Sequence, residues 1–166
     1  MIPNITRGTD FRGVVKYLIG PGRANEHTRP HMVAGDSTVA QWIGADVLGA
    51  TDAAQIAARL EAPTLVRGSQ PAAGAVWHCS LSIRADDGQL GDELWSLVAR
   101  DFMSKMGWID PATGEASMPW MAIHHGESKA GNDHIHIVVS MVHDDGRVAD
   151  TRNDFQRAQH ACRAVE

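Results

Sequence analysis

A run of alternating side chains over residues 134–139 constrains the fold of this chain more than any other segment. It reads His-Ile-His-Ile-Val-Val. In a β-strand, side chains two positions apart point to the same face. His134 and His136 are therefore expected to share one face, while Ile135 and Ile137 enter the core on the other. The run predicts a strand over residues 134–143, ended by the Asp-Asp-Gly turn that follows.

Strand-like alternation and helical periodicity divide the rest of the chain into further elements. Long helical segments between strands, together with hairpin-type turns, predict an α+β fold in which a central antiparallel β-sheet has helices packed on one side. Residues 23–50 are expected to be mostly loop. The other expected strands are 2–6, 75–84 and 118–124, and the expected helices are 11–18, 52–61, 90–106 and 153–166.

Local signals add detail to three of these elements. Asp10 is the expected N-cap of the first helix, and Pro63 is expected to stop the second. In the strand over 75–84, the side chains of His78, Ser80 and Ser82 are expected on one face. The helix over 90–106 is expected to bury a stripe of apolar residues, namely Leu94, Leu97, Val98, Phe102 and Met106.

The length and composition exclude several classes of protein. The chain has 166 residues, 43% of them hydrophobic, which suits one domain over residues 1–166. No apolar run is long enough to span a membrane, and no signal peptide is visible. Cys79 and Cys162 form no CxxC motif, so a cytoplasmic location is expected. The last helix ends without a C-cap signal, which predicts that this domain is the N-terminal part of a longer protein.

The charge distribution favours an anionic partner more than the net charge does. The formal net charge is -5, but residues 1–30 contain five basic groups against two acidic ones. Nine histidines accompany a single tyrosine, Tyr17. A basic segment at one end of an acidic chain is compatible with nucleic-acid binding. Its basic residues are Arg7, Arg12, Lys16, Arg23 and Arg29.

The histidines near residue 130 predict a metal site. His134 and His136 present two imidazoles on one strand face, and a third ligand is expected from the end of the neighbouring strand, which carries His124 and His125. Alternation alone does not choose between these two. Asp133, directly before the pair, is either a capping carboxylate or the group that orients a ligand through its second ring nitrogen.

Taken together, these motifs resemble the relaxase branch of the HUH endonucleases, of the plasmid mobilisation type, and most closely its actinobacterial members. The segment 134–136 resembles the HUH element, and His125-Gly-Glu127 resembles the His-x-acidic element that precedes it. The segment from His78 to Ser82 resembles the His-x-x-x-Ser-like element that these enzymes carry on another strand. Tyr17-Leu matches the position of the nucleophilic tyrosine, ahead of the HUH strand, whereas replication initiators place it afterwards.

The resemblance implies an HUH-like fold in the permuted motif order and a nicking-joining enzyme that cleaves single-stranded DNA at an origin of transfer. Tyr17 would form a covalent 5′-phosphotyrosine, with His27 as the alternative nucleophile. His125, in preference to His124, would complete the metal site, and Glu127 or Asp133 would assist a ligand or the nucleophile. The expected DNA contacts are Arg7, Arg12, Lys16, Arg23, Arg29, His78, Ser80, Ser82 and Lys129.

The expected cofactor is one divalent cation, Mn²⁺ first, with Mg²⁺, Zn²⁺, Co²⁺ or Ni²⁺ as alternatives. The expected partners are origin-of-transfer DNA, accessory relaxosome proteins and a coupling protein. Three other functions are compatible with the sequence: a catalytically idle DNA-binding module of the same fold, a rolling-circle replication initiator, and a metal-dependent hydrolase of small phosphoesters.

Overall fold

A computed structural model describes residues 1–21 and 29–166 of the chain. Arg23 and His27, two of the expected site residues, lie outside the described residues. The strands are β1 (Ile2–Gly8), β2 (His31–Gly35), β3 (Val76–Ser82), β4 (Trp120–Glu127) and β5 (Asp133–Ser140). The helices are α1 (Phe11–Ile19), α2 (Ala50–Arg67), α3 (Asp92–Lys105) and α4 (Asp154–Val165).

The strands form one five-stranded sheet in the order β1-β3-β5-β4-β2. Every neighbouring pair in it is antiparallel. The strand that carries His134 and His136 is therefore central, paired on both sides. The predicted α+β class and the antiparallel sheet are confirmed. No helix within the described residues is both long and apolar enough to cross a membrane.

The helices cover both faces of the sheet, which corrects the expectation that they pack on one side. Ile135 and Ile137 of β5 belong to the core shared with α3 and α4. Val138, on the other face of the same strand, belongs to a second core shared with α1 and α2. The second layer forms because β4 is apolar on this face too, where Met121 and Ile123 are fully buried.

Three local expectations were wrong because tertiary packing overrode a local signal. β2 lies within the segment expected to be loop, and it forms by pairing with β4. Pro63 lies inside α2 and is buried, so the helix continues past it to Arg67. In α3 the expected Phe102 is buried, as is Met106 directly after the helix, but Trp95 takes the place of Leu94 and Leu97, which are 52% and 64% exposed. By contrast, Asp10 caps α1 as expected, accepting a hydrogen bond from the Gly13 N–H at 2.8 Å.

Gly74 occupies a tight position between the end of β1 and the start of β3. Its φ is +89°, and a Cβ there would lie 2.2 Å from the carbonyl oxygen of Gly8. Gly74→Ala is expected to lower the free energy of unfolding by about 1–3 kcal/mol through the disfavoured φ alone, and by more because the two backbones must separate. Gly68 has a φ of +67° and open space around it, so Gly68→Ala is the matched control. Equal losses in the two variants, measured by urea denaturation, would contradict the packing argument.

Candidate metal centre and nucleic-acid face

Three histidine side chains converge on the face of the sheet covered by α1. The ring centroids of His125 and His134 lie 5.4 Å apart, those of His125 and His136 lie 4.5 Å apart, and those of His134 and His136 lie 5.2 Å apart. Each ring offers a nitrogen within 4.8 Å of the other two. The predicted i, i+2 pair and a third histidine from the neighbouring strand are thus brought together.

A β-bulge separates the roles of His124 and His125. The pairing of β4 with β5 shifts between His124, opposite Ile135, and Gly126, opposite His134. Gly126 has a φ of +75°, a conformation that favours glycine in a bulge. His125 consequently points to the same face as His134, whereas His124 shares the face of Ile135.

The second ring nitrogen of each of the three histidines has its own partner. His125 Nε2 donates to the Leu18 carbonyl oxygen at 2.7 Å, and His134 Nδ1 donates to the Asn132 carbonyl oxygen at 3.3 Å. His136 Nδ1 lies 2.8 Å from His78 Nε2. These tautomers, assigned from the partners, leave a lone pair on His125 Nδ1, His134 Nε2 and His136 Nε2. Three oriented neutral imidazoles fit a divalent transition-metal ion.

His78 supports His136 from the neighbouring strand. Its Nδ1 lies 3.1 Å from Thr6 Oγ1 on β1. Burial lowers the pKa of His78 to about 4, so the ring is neutral near pH 7. A neutral His78 that donates to Thr6 accepts the His136 Nδ1–H, and the hydrogen-bonded row fixes the orientation of His136.

Replacing His78 is therefore expected to weaken metal binding. His78→Phe keeps a ring of similar size but removes the acceptor for His136, and losses of this kind cost about 10–100-fold in metal affinity. Isothermal titration with Mn²⁺ measures the change. His143, whose Nδ1 lies 2.6 Å from Ser117 Oγ, is outside the site, so His143→Phe is the matched control. An unchanged affinity in His78→Phe would contradict the positioning role.

Tyr17 lies on α1, one residue before Leu18, whose carbonyl oxygen anchors His125. The Tyr17 residue is 38% exposed, whereas Leu18 is fully buried. Arg12 and Lys16 are exposed on the same helix. The hydrogen bond to His125 thus ties the helix of the only tyrosine to the histidine site.

A polar strip extends from the three histidines across β3 to β1. Ser80 lies opposite His136 and Ser82 opposite His134 in the pairing of β3 with β5. Beyond β3, Asn4 lies opposite Ser80, and Thr6 contacts His78 as described above. Asn4 and Thr6 were not among the expected site residues, although the alternation of side chains in residues 2–6 could have indicated them.

Two expected catalytic carboxylates lie away from the three histidines. Asp133 is fully buried and accepts hydrogen bonds from Trp95 Nε1 and the Leu90 N–H, both at 2.8 Å. It also lies 2.7 Å from His124 Nε2. Burial raises the pKa of Asp133, but these hydrogen bonds outweigh it and the net pKa is lowered. Glu127 is opposite Asp133 in register, so its side chain is on that face too.

Three of the expected basic contacts lie outside α1, and two of them form ion pairs with carboxylates. Arg7 is opposite Trp77 in register, and its guanidinium forms a half-buried ion pair with Asp154 of α4. This ion pair joins β1 to α4. Arg29 forms an exposed ion pair with Asp46 at 3.2 Å, and Lys129 is exposed in the turn between β4 and β5.

The comparison with protein families accounts for this arrangement. A comparison with curated proteins gave no match. Residues 33–166 match the model of a relaxase nuclease domain described as MobA/VirD2-like. The match includes all three histidines and begins after α1, so Tyr17 precedes it. The five-stranded sheet, the histidine site and the family match agree: this chain belongs to the MobA/VirD2-like relaxases and carries their DNA-nicking domain.

Proposed function

We propose that this chain cleaves and rejoins one strand of DNA at an origin of transfer, through a covalent bond between Tyr17 and the 5′ phosphate. The observation that carries the proposal is the anchoring of α1 on the three histidines by the Leu18–His125 hydrogen bond of 2.7 Å. It places the helix of the only tyrosine beside a group of imidazoles suited to a cation. Conjugative plasmid transfer is the process that needs such an enzyme.

The three histidines would hold one divalent cation through His125 Nδ1, His134 Nε2 and His136 Nε2. When bound, the ion supplies positive charge to the non-bridging oxygens of the scissile phosphate as charge develops there. Neutral imidazoles suit this task, because carboxylate ligands would cancel part of that charge. Nitrogen donors favour Mn²⁺, Zn²⁺, Co²⁺ or Ni²⁺ over Mg²⁺.

Tyr17 would act as the nucleophile. The hydroxyl gives up its proton to solvent and its oxygen forms a bond to phosphorus, while the bond from phosphorus to the 3′ oxygen breaks. The 3′ oxygen takes up a proton and leaves as a hydroxyl. A free tyrosine has a pKa of about 10, so the reaction needs a positive environment. Lys16 and Arg12, exposed on the same helix, supply charge for both the phenolate and the approaching phosphate. The phosphotyrosine keeps the phosphodiester energy, so the strand can be rejoined.

The polar strip would hold the strand on either side of the scissile phosphate. The side chains of Asn4, Ser80 and Ser82 are at least partly accessible, and hydroxyl and amide groups contact phosphates without reading sequence. By the same resemblance, we propose origin-of-transfer DNA as the substrate, with accessory relaxosome proteins and a coupling protein as further partners.

The basic face of α1 leads to a prediction about salt. Each phosphate neutralised on single-stranded DNA contributes about 0.7 to the slope of log affinity against log salt concentration. The double variant Arg12→Gln with Lys16→Gln is expected to reduce that slope by about 1.4, as measured by fluorescence anisotropy. Arg147, paired with Asp145 beyond the other end of β5, provides the control Arg147→Gln. A slope that is the same in all three proteins would contradict this role for α1.

The test of the proposed function is the covalent intermediate. The protein is incubated with Mn²⁺ and a pool of 3′-labelled single-stranded oligonucleotides of random sequence, and then denatured. A labelled adduct that survives denaturation, and that is joined through a 5′ phosphate, is the expected result. DNA binding without an adduct would instead indicate the idle DNA-binding module.

A further inference from the structure

A second group of metal-ligand side chains lies on the opposite face of the sheet from the first. It joins His31 at the start of β2, His124 on β4 and Asp92 at the start of α3. His31 Nε2 and His124 Nδ1 each lie 2.8 Å from Asp92 Oδ1. The three donor atoms lie within 4.8 Å of one another.

The remaining ring nitrogens determine which tautomers face Asp92. His31 Nδ1 lies 2.7 Å from the Arg29 carbonyl oxygen, which can only accept, so Nδ1 carries the proton. His124 Nε2 lies 2.7 Å from Asp133 Oδ1, a buried carboxylate that already accepts from Trp95 and Leu90. His124 Nε2 therefore carries the proton there.

In the neutral tautomers, two nitrogen lone pairs consequently face one carboxylate oxygen. His31 Nε2 is buried and makes no well-directed hydrogen bond despite its short distance to Asp92. Lone pairs at this separation from a carboxylate repel it unless positive charge lies between them. That charge is either a proton on the imidazoles or a metal ion bound by all three groups.

We propose that His31, Asp92 and His124 form a second metal site, selective for a divalent transition-metal ion of the zinc class. Two imidazoles and one carboxylate are a usual donor set for such ions. Asp133 completes a carboxylate–histidine–metal arrangement that orients His124, and the Arg29 carbonyl orients His31 in the same way. Asp133 is thus a positioning residue for this second site.

The geometry needs only a small adjustment to accept an ion. Bonds of about 2.0–2.2 Å in a tetrahedron separate ligand atoms by about 3.3–3.6 Å, more than the 2.8 Å seen to Asp92 Oδ1. The Asp92 side chain is 58% exposed, so it can withdraw towards solvent and leave the fourth position to water. His31 and His124, by contrast, are held by the sheet.

A metal ion at this site would stabilise the β2 edge of the sheet. β2 is the edge strand next to β4, and it is short, from His31 to Gly35. An ion held by these three side chains would join β2, β4 and the first turn of α3. Its expected role is structural, and the proposal is independent of the reaction proposed for the first site.

The experiment counts bound metal in the full chain. Metal-free protein is titrated with Zn²⁺, and bound zinc is measured after gel filtration. The unmodified chain is expected to bind two equivalents, and the variant His134→Ala with His136→Ala, which removes the first site, is expected to keep one. Adding Asp92→Asn or His31→Gln to that variant should abolish the remaining equivalent.

The control is Glu93→Gln in the same background, because Glu93 is the neighbouring acidic residue of the first helical turn and is not a ligand. It should keep one equivalent. Zn²⁺ should also raise the melting temperature of the His134→Ala, His136→Ala variant, and this shift should vanish with Asp92→Asn.

No zinc in the His134→Ala, His136→Ala variant would mean that protons occupy the cluster of His31, Asp92 and His124. Zinc retained after both Asp92→Asn and His31→Gln would place it elsewhere. Either result would overturn the proposal.

Discussion

Tyr17→Phe is expected to lose the covalent adduct while keeping the fold and the affinity for DNA. The substitution removes only the hydroxyl oxygen that would bond to phosphorus. Deleting a covalent nucleophile costs about 10³-fold or more in rate. Because the Tyr17 residue is 38% exposed, the change leaves no cavity in the core. The measurement compares labelled adduct from matched amounts of the two proteins, with DNA affinity measured in parallel.

His27→Ala separates this prediction from histidine chemistry. If Tyr17→Phe forms the adduct at a nearly normal rate while His27→Ala loses it, the nucleophile is His27. The adduct would then be a phosphoamide. Acid hydrolyses a phosphoamide, whereas a phosphotyrosine survives acid treatment. Loss in Tyr17→Phe, with the adduct retained in His27→Ala, supports the tyrosine.

His134→Ala is expected to abolish cleavage by removing one ligand of the first metal site. The stabilisation of charge on phosphate by a metal ion contributes several kcal/mol, and about 4 kcal/mol corresponds to roughly a thousandfold in rate. DNA affinity should change far less, because Arg12 and Lys16 remain. Calorimetry with Mn²⁺ should show that the ion no longer binds at this site.

His143→Ala is the control for His134→Ala. It removes an imidazole from the far end of the sheet, next to Ser117, and should cleave normally. The proposed first site would be refuted if His134→Ala bound Mn²⁺ with unchanged affinity. Far-ultraviolet circular dichroism confirms that each variant is folded. His134 is partly exposed, so its truncation is not expected to unfold the sheet.

Local alternation could not decide whether His124 or His125 faces His134, because this depends on how β4 pairs with β5. Adjacent residues on a strand point to opposite faces, so one of the two had to face His134. Which one depends on the register with β5, and that register shifts at Gly126. A bulge depends on pairing between strands, and pairing leaves no local pattern in the sequence.

Asp133 shows which contacts local alternation leaves open. Its place next to His134 in an extended strand predicts that its side chain faces away from that histidine, but not which groups it meets there. The pleat of the strand turns it to the opposite face, where its partners are Trp95, Leu90 and His124. Arg7 likewise has a partner that local patterns do not indicate, since Asp154 is 147 residues away. The partners of both side chains come from segments distant in sequence, so a local pattern does not indicate these contacts.

The sequence by itself determined the strand of His134 and His136, the face they share and the polar face of His78, Ser80 and Ser82. These follow from the two-residue period of an extended backbone, which is a local property. Only the tertiary structure decided that helices cover both faces, that residues 31–35 form a strand, and that His31, Asp92 and His124 meet. Each of these depends on contacts between distant segments, whose free energy comes from burial and pairing and not from the spacing of neighbouring residues.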